Sequence, residues 1–206
     1  VAPGDVVFTV EGKVQSILQA ERTVLNIMQR MSGIATTTNK YVALIAGTGA
    51  KVLDTRKTTP GMRLLEKQAV KMGGGENHRI GLFDMILLKD NHIDFAGGIE
   101  NAVIGAKSYL KEKDKSLKIE VEVRDMDELD EVLRVGGVDR VMLDNFTPEN
   151  TLKAVKHVNG RVELESSGGI TIETIRSYAE TGVDYISVGA LTHSVKGLDM
   201  SLLAIS

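Results

Sequence analysis

The chain contains no cysteine and no tryptophan, only three prolines, and aromatic side chains at 4% of its 206 residues. Without cysteine, disulfides, thiolate zinc sites, iron–sulfur clusters and a cysteine nucleophile are all excluded. The scarcity of aromatics removes the stacking platforms on which single-stranded nucleic acids are held. Nor is there an excess of one charge: 25 Lys and Arg against 28 Asp and Glu leave a formal net charge of -3. Neither nucleic acid nor an acidic membrane surface is therefore expected as a partner. No apolar run approaches the roughly 20 residues that span a bilayer, and no signal peptide is visible, so a cytoplasmic protein is the default expectation. What is present is ordinary for a globular chain, with 42% hydrophobic and 26% charged residues. That length and composition suit one main domain with a real core. The first residue is Val1, which fits a fragment or a processed chain.

Hydrophobic periodicity divides the chain. Residues 1–12 read as a turn at Pro3-Gly4-Asp5 and a short strand ending at Gly12. A long helical pattern runs from about Ala20 to Ala46, with a break or kink expected near Gly33 and Thr36 to Thr38. After Gly47-Thr48-Gly49 a rhythm begins. Apolar strands are predicted at 51–56, 85–90, 118–124, 140–145, 162–167 and 185–190, with helices near 61–72, 98–113, 126–134, 148–158 and 171–181. Asp127, Thr147 and Thr171 stand where N-caps are expected, and Pro148 suits a first helical position. Strands alternating with helices of this length predict βαβ units and a parallel sheet, either doubly wound or a β/α barrel, complete or incomplete. Most strands end in a polar residue: Arg56, Lys89, Glu122, Asp144, Ser167 or Gly189. In a barrel those ends converge on one mouth, which favours the barrel.

The stretch 51–93 carries the clearest chemistry. Two strand ends and one loop concentrate Arg56, Lys57, His78, Arg79 and Lys89 in an otherwise acidic chain, which suggests a small and highly anionic ligand. Any one of these could be an ordinary solvated charge; five of them at the ends of apolar strands fit that reading poorly. Glu120 and Glu122 in IEVEV share a strand face, and Asp144 follows in VMLDNF. Glu122 and Asp144 could hold Mg2+, bind ribose hydroxyls or pair with the cations, and spacing alone leaves these open. Ser167-Gly168-Gly169 before a helix, with Gly189 after the next strand, resembles the way many barrels hold a phosphate; a tight strand-to-helix turn would need the same glycines. His193, four residues beyond Gly189, could reach that phosphate. His92 fits a structural loop residue and His157 a surface position. No two histidines have metal-ligand spacing. A basic pocket, a carboxylate pair and a phosphate loop, without an obvious nucleophile and base, suit transfer of a phosphorylated sugar.

The segment DTRKTTPGMRLLEKQAVKMGGGENHRIGLFDMILLKDNHI resembles the core of the quinolinate phosphoribosyltransferase family. IEVEV, VMLDNF, SSGGI and YISVGALTHSV follow in that family's order and spacing. The resemblance implies an α/β fold: an incomplete (open) β/α barrel with parallel strands over 26–191, preceded at 1–25 by part of an N-terminal α/β sandwich domain. Residues 192–206 would return to the sandwich. Upstream of residues 6–12 the family carries more of the sandwich than this chain does, so exposed apolar surface is expected on 1–25. The implied reaction converts quinolinate and phosphoribosyl pyrophosphate into nicotinate mononucleotide, CO2 and pyrophosphate, with Mg2+, on the way to NAD.

By the same resemblance Arg56, His78, Arg79 and Lys89 would line the quinolinate pocket, with Arg22 reaching a neighbouring subunit's site in a homodimer or larger homo-oligomer. Lys57 would face the pyrophosphate, and Glu122 and Asp144 the ribose and Mg2+. Ser167, Gly168, Gly169 and Gly189 would bind the 5′-phosphate, with His193 nearby. Lys57, Lys89, Glu122 and Asp144 form the implied catalytic set. Three rivals stand beside this reading. One is a paralogue, either the molybdenum-transport-associated homologue or nicotinate phosphoribosyltransferase. The second is a truncated chain that binds phosphosugar without turnover, and the third a role in assembly only. Arg56 and Arg79 with Lys89 favour a dicarboxylate substrate, and Glu122 with Asp144 weigh against a pure binder.

Overall fold

The computed structural model describes residues 1–205. All six predicted apolar runs become strands of one parallel sheet: β1 (Lys51–Leu53), β2 (Ile86–Leu88), β3 (Ile119–Val123), β4 (Arg140–Asp144), β5 (Glu163–Ser167) and β6 (Tyr185–Ser187). Their order is β1-β6-β5-β4-β3-β2. Chain neighbours are therefore sheet neighbours, except that β1 lies beside β6 and not β2. This is the order of a β/α barrel left open between its first two strands.

The opening is partly filled by residues 76–79. Glu76 makes a single parallel bridge to Leu53, with its N–H donating to Val52 O at 2.8 Å and its carbonyl accepting from Asp54 N at 3.2 Å. The segment thus climbs beside β1 in the same direction, where the sequence suggested only a loop.

Strand alternation sorts the two faces. Ile119, Val121 and Val123, like Val141, Leu143 and Leu164, belong to the apolar core shared with the helices. The intervening positions carry Glu120, Glu122, Arg140, Asp144, Glu165 and Ser167 to the barrel interior. Such interiors are usually packed with branched apolar residues; this one is largely charged.

Helices α1 (Val14–Leu44), α2 (Arg63–Met72), α4 (Ile99–Glu112), α5 (Met126–Val135), α6 (Pro148–Val158) and α7 (Ile175–Ala179) fall where periodicity placed them. Two short helices, α3 (Asp90–Ala96) and α8 (Ala190–His193), were not expected. They shorten the strands at 85–90 and 185–190, because the chain turns helical directly after Lys89 and Gly189. The kink expected in α1 is absent: the helix runs unbroken through Gly33 and Thr38, past the expected domain boundary at residues 25 and 26. Both residues serve packing. A Cβ on Gly33 would lie 2.4 Å from Lys196 O, and one on Gly73 would lie 2.6 Å from the Thr38 side chain. The C-terminal segment then returns along α1, where Gln29 O accepts from Leu198 N at 3.1 Å. Its expected last residue, 206, lies outside the described residues.

Three local expectations need correction. Asp125, and not Asp127, caps α5, accepting from Glu128 N at 2.9 Å. Thr171 precedes α7 by a turn, and its carbonyl accepts from Ile175 N at 2.9 Å. Residues 6–12 form no strand, since no neighbouring segment of this chain offers a ladder to pair with. Val6, Val7, Phe8 and Val10, with Val14 and Leu18 on α1, are left exposed. Thr147 and Pro148 begin α6 as predicted, the Thr147 hydroxyl accepting from Asn150 N at 3.2 Å. Among the described residues no helix is long and apolar enough to cross a membrane.

Candidate active site

In a parallel sheet every strand delivers its last residues to the same edge. Arg56 and Lys57 follow β1 and Lys89 follows β2. Glu122 and Asp144 lie at the ends of β3 and β4, and Ser167 ends β5 before Gly168 and Gly169. Gly189 follows β6 and opens α8, which carries His193. The climbing segment brings Asn77, His78 and Arg79 to the same side.

Contacts divide these residues into three groups. In the first, Arg79 is buried, and its guanidinium donates to Met85 O at 3.3 Å. Burial, and then the nearby charge of Arg56, push the Arg79 pKa down from the usual arginine range. Among the described residues no carboxylate forms an ion pair with Arg56, Arg79 or Lys57. Two guanidinium groups close enough to repel, neither in an ion pair and with only the more distant charges of Glu120 and Asp84 acting on Arg79, suit an anion with more than one carboxylate.

In the second group Lys89 Nζ meets Glu122 Oε2 at 2.6 Å, so the strand-end cation and carboxylate are already joined. The third group surrounds the glycines. Asp144 is the register partner of Ser167. Asn145, at φ 55°, donates its side-chain amide to Asp144 Oδ2 at 2.8 Å and its backbone N–H to Ser167 O at 2.9 Å. Gly168 has φ +98°, and a Cβ there would lie 2.2 Å from Asn145 Oδ1, so both conformation and space demand glycine. One strand away, Lys57 and His193 converge over Gly189: a Cβ there would lie 3.3 Å from Lys57 Cδ and 3.1 Å from the His193 ring. The Thr192 hydroxyl holds the Lys57 carbonyl at 2.9 Å.

His78 sits lower, inside the barrel. Its Nε2 is 2.9 Å from Glu120 Oε2 and 3.4 Å from Glu165 Oε2, and Arg140 Nη1 reaches Glu165 Oε2 at 3.1 Å. The Arg140 guanidinium also stacks on Tyr185, 3.8 Å from the ring centroid. Burial lowers the His78 pKa, but Glu120 and Glu165 outweigh it and raise it to about 9. Burial and repulsion from Glu165 raise Glu120 to about 7. Geometry and charge pull differently here. The carboxylates favour an imidazolium, yet the Arg79 backbone N–H points at Nδ1 from 2.7 Å. Two N–H groups cannot face each other at that distance, so Nδ1 keeps its lone pair and the ring proton is on Nε2. The further proton favoured by the charge balance then falls to the carboxylates. His78, Glu120 and Glu165 also each offer a ligand atom within 4.8 Å of the others, though Arg140 already supplies a countercharge.

Beneath His78 a second buried pair fixes the backbone. Asp54 accepts from Lys67 Nζ, from Asn77 Nδ2 at 2.6 Å and from His78 N at 2.9 Å. Lys67 also donates to His78 O at 2.9 Å. Burial pushes Asp54 up and Lys67 down, but three N–H donors aimed at one carboxylate keep the pair charged.

Among the sequence candidates, the structure gathers Arg56, Lys57, Arg79, Lys89, Glu122, Asp144, Ser167, Gly168, Gly169, Gly189 and His193 at one edge, with His78 just below. Arg22 stands apart, exposed on α1 and paired with Glu21 at 2.7 Å. His92 accepts the Lys89 backbone N–H at 3.0 Å and so begins α3; His157 pairs with Asp130 on the surface. Sequence reading gave no role to Glu120, Arg140 and Glu165. Their signal was available: each alternates with apolar residues on a buried strand, and a charge there must face a partner inside. A surface hollow of about 400 Å³ beside Asp139, Arg161, Glu163 and Asp184 lies at the opposite ends of the strands and takes no part in this chemistry.

The family model described as "Quinolinate phosphoribosyl transferase, C-terminal domain" matches residues 34–203, and its N-terminal counterpart matches residues 1–32. The chain is 50% identical to the chloroplastic nicotinate-nucleotide pyrophosphorylase [carboxylating] of Arabidopsis thaliana, over 94% of this chain and 59% of the relative. It is 44% identical to the probable enzyme of that name in Bacillus subtilis (strain 168), over 97% of this chain and 68% of the relative. The crystal structure of NadC from Streptococcus pyogenes superposes with a TM-score of 0.87 at 44% identity, covering 94% of this chain and 66% of that one. The chain spans about three-fifths of the length of the plant relatives it matches. On the match across most of its length, together with the strand-end residues gathered above, the chain belongs to the quinolinate phosphoribosyl transferase family.

Proposed function

We propose that this chain supplies the site at which quinolinate and phosphoribosyl pyrophosphate are joined, with decarboxylation, to give nicotinate mononucleotide, CO2 and pyrophosphate. The observation that carries it is the pair Arg56 and Arg79, close enough for the charge of one to lower the pKa of the other and neither in an ion pair with a carboxylate among the described residues. A dicarboxylate supplies the two missing countercharges, and planar guanidinium groups hold carboxylates in bidentate fashion. Lys89, now paired with Glu122, can exchange that partner for a substrate carboxylate.

At the donor end, Ser167, Gly168, Gly169 and Gly189 offer backbone N–H groups to the 5′-phosphate, with His193 beside them. Lys57 meets the departing pyrophosphate. Glu122 and Asp144 would hold Mg2+; carboxylates on neighbouring strands, with water and phosphate oxygens completing the shell, are a common arrangement for this ion. When bound, it would neutralise charge on the pyrophosphate. The pocket aligns the pyridine nitrogen with the anomeric carbon, so the C–N bond forms as the C–O bond to pyrophosphate breaks. The carboxylate next to the now cationic nitrogen then leaves as CO2, its bonding pair passing to the ring, and the ring carbon takes a proton. Orientation and countercharge do most of this. A homo-oligomer in which Arg22 enters a neighbour's site, and a cytoplasmic location, complete the proposal.

The test is incubation with quinolinate, phosphoribosyl pyrophosphate and Mg2+, following nicotinate mononucleotide and CO2, with nicotinate as parallel substrate. Product from quinolinate alone supports the reading. Product from nicotinate alone, or no quinolinate binding by calorimetry, overturns it.

A further inference from the structure

His78 lies beside the arginines and yet offers a ligand nothing. Nδ1 is occupied by the Arg79 backbone N–H at 2.7 Å. Nε2 is turned into the barrel, against Glu120 and Glu165. The ring is only 7% exposed and both carboxylates are 0% exposed. Neither carboxylate lies well along the Nε2–H direction, and both Glu120 oxygens and Glu165 Oε1 lack a hydrogen-bond partner among the described residues. Buried carboxylate oxygens left this way are costly; Glu165 also has the Ser187 hydroxyl in reach, whereas for Glu120 the closest donor is Nε2–H at 2.9 Å. Arg140, on the strand between them, binds Glu165 at 3.1 Å. Glu120 has no such neighbour within hydrogen-bond distance.

We propose that His78 is a positioning residue, and that Glu120 and Glu165 set it. By attracting the ring proton to Nε2 they leave Nδ1 as the acceptor for the Arg79 amide. That bond in turn fixes the backbone from which the Arg79 guanidinium meets a dicarboxylate. The proposal rests on the quinolinate reading of the pocket for its last link only; the ring geometry stands independently of it.

Two readouts on the same protein test it. Long-range 15N–1H spectra report which ring nitrogen carries the proton, and the His78 signal is the one missing from His78→Asn. Expected in the wild type is an unprotonated, acceptor-type Nδ1. Glu120→Gln removes a carboxylate that accepts no hydrogen bond from Arg140, whose bond is to Glu165, so it keeps that pair in place; Glu165→Gln is the second variant. In Glu120→Gln the ring should divide between tautomers, and the quinolinate KM should rise on the order of 10-fold or more, as expected when a binding group loses its alignment. kcat and the KM for phosphoribosyl pyrophosphate should stay near wild type. A wild-type Nδ1 that carries a proton overturns the proposal, as does either readout changing without the other, or neither changing. If the wild type does not bind quinolinate, the pocket reading falls, and the spectra still decide what holds the ring.

Discussion

Arg56 forms no ion pair with a carboxylate among the described residues, and its neighbour Arg79 is pushed down by burial and then by the Arg56 charge. Arg56→Ala should therefore relieve repulsion in the free protein and damage only binding. A lost charge-assisted hydrogen bond is worth about 1.5–3 kcal/mol, or roughly 10- to 100-fold in the quinolinate KM. Arg56→Lys should recover little, because a point charge cannot replace the fork; steady-state kinetics on both variants check this. Lys67→Met is expected to act differently. It strands the buried Asp54 carboxylate, which should destabilise the fold by about 3–5 kcal/mol, read from denaturant unfolding. The His78 cluster makes stability depend on pH. Glu120 and Glu165 raise the pKa at His78 to about 9 against an ordinary 6.5; with Nδ1 closed by the Arg79 N–H, that proton belongs to the ring and carboxylates together, and its contribution is complete below pH 6.5 and is lost as pH rises through 9. Glu120, raised to about 7, adds a loss of the same sign at lower pH. Glu120 and Glu165 face the ring, Arg140 binds Glu165, the Arg79 N–H closes Nδ1, and Asp54 and Lys67 hold the His78 backbone. Thermal melts from pH 6.5 to 9 should show a falling Tm that flattens in His78→Asn. The strand-end residues were legible one at a time, since polar residues closing apolar runs stand out. Glu120, Arg140 and Glu165 were each legible as a buried charge in need of a partner, but not as one cluster, because only a rolled sheet brings the three together.

At the scale of elements, α1 teaches the difference between propensity and packing. Gly33 and three threonines weaken a helix in isolation, and sequence alone suggested a kink. In the fold the same small residues make room: Lys196 O lies where a Gly33 Cβ would be, and Gly73 approaches Thr38. Gly33→Ala improves local propensity and should still destabilise the protein, by about 1–3 kcal/mol, through overpacking. Limited proteolysis should then cut first within the displaced residues 195–200. Strand and helix order were readable because period-2 and period-3.6 patterns are local. The helices α3 and α8 were not, since each is too short to show a period, and residues 6–12 failed as a strand for want of a partner.

For the molecule as a whole, the exposed apolar side chains of Val6, Val7, Phe8, Val10, Val14 and Leu18 form a surface that water should disfavour. Self-association through it is the expected outcome. Sedimentation velocity on Phe8→Asp should shift the population towards smaller species, and an unchanged distribution would place the contact elsewhere. A barrel of parallel strands was expected from the strand ends, and its incompleteness from the family resemblance; the place of the opening, between β1 and β2, was expected from neither.

That opening has a mechanical consequence. Five strand interfaces are closed by backbone ladders, whereas the line from β1 to β2 is crossed by residues 76–79 with one bridge. Arg56 and Lys89 stand on opposite lips of that line. Their separation can widen or narrow without breaking a single ladder hydrogen bond. A small, rigid dianion caught between the lips would act as a clasp, and the ligand itself would then fasten the cylinder that the chain leaves unbuttoned.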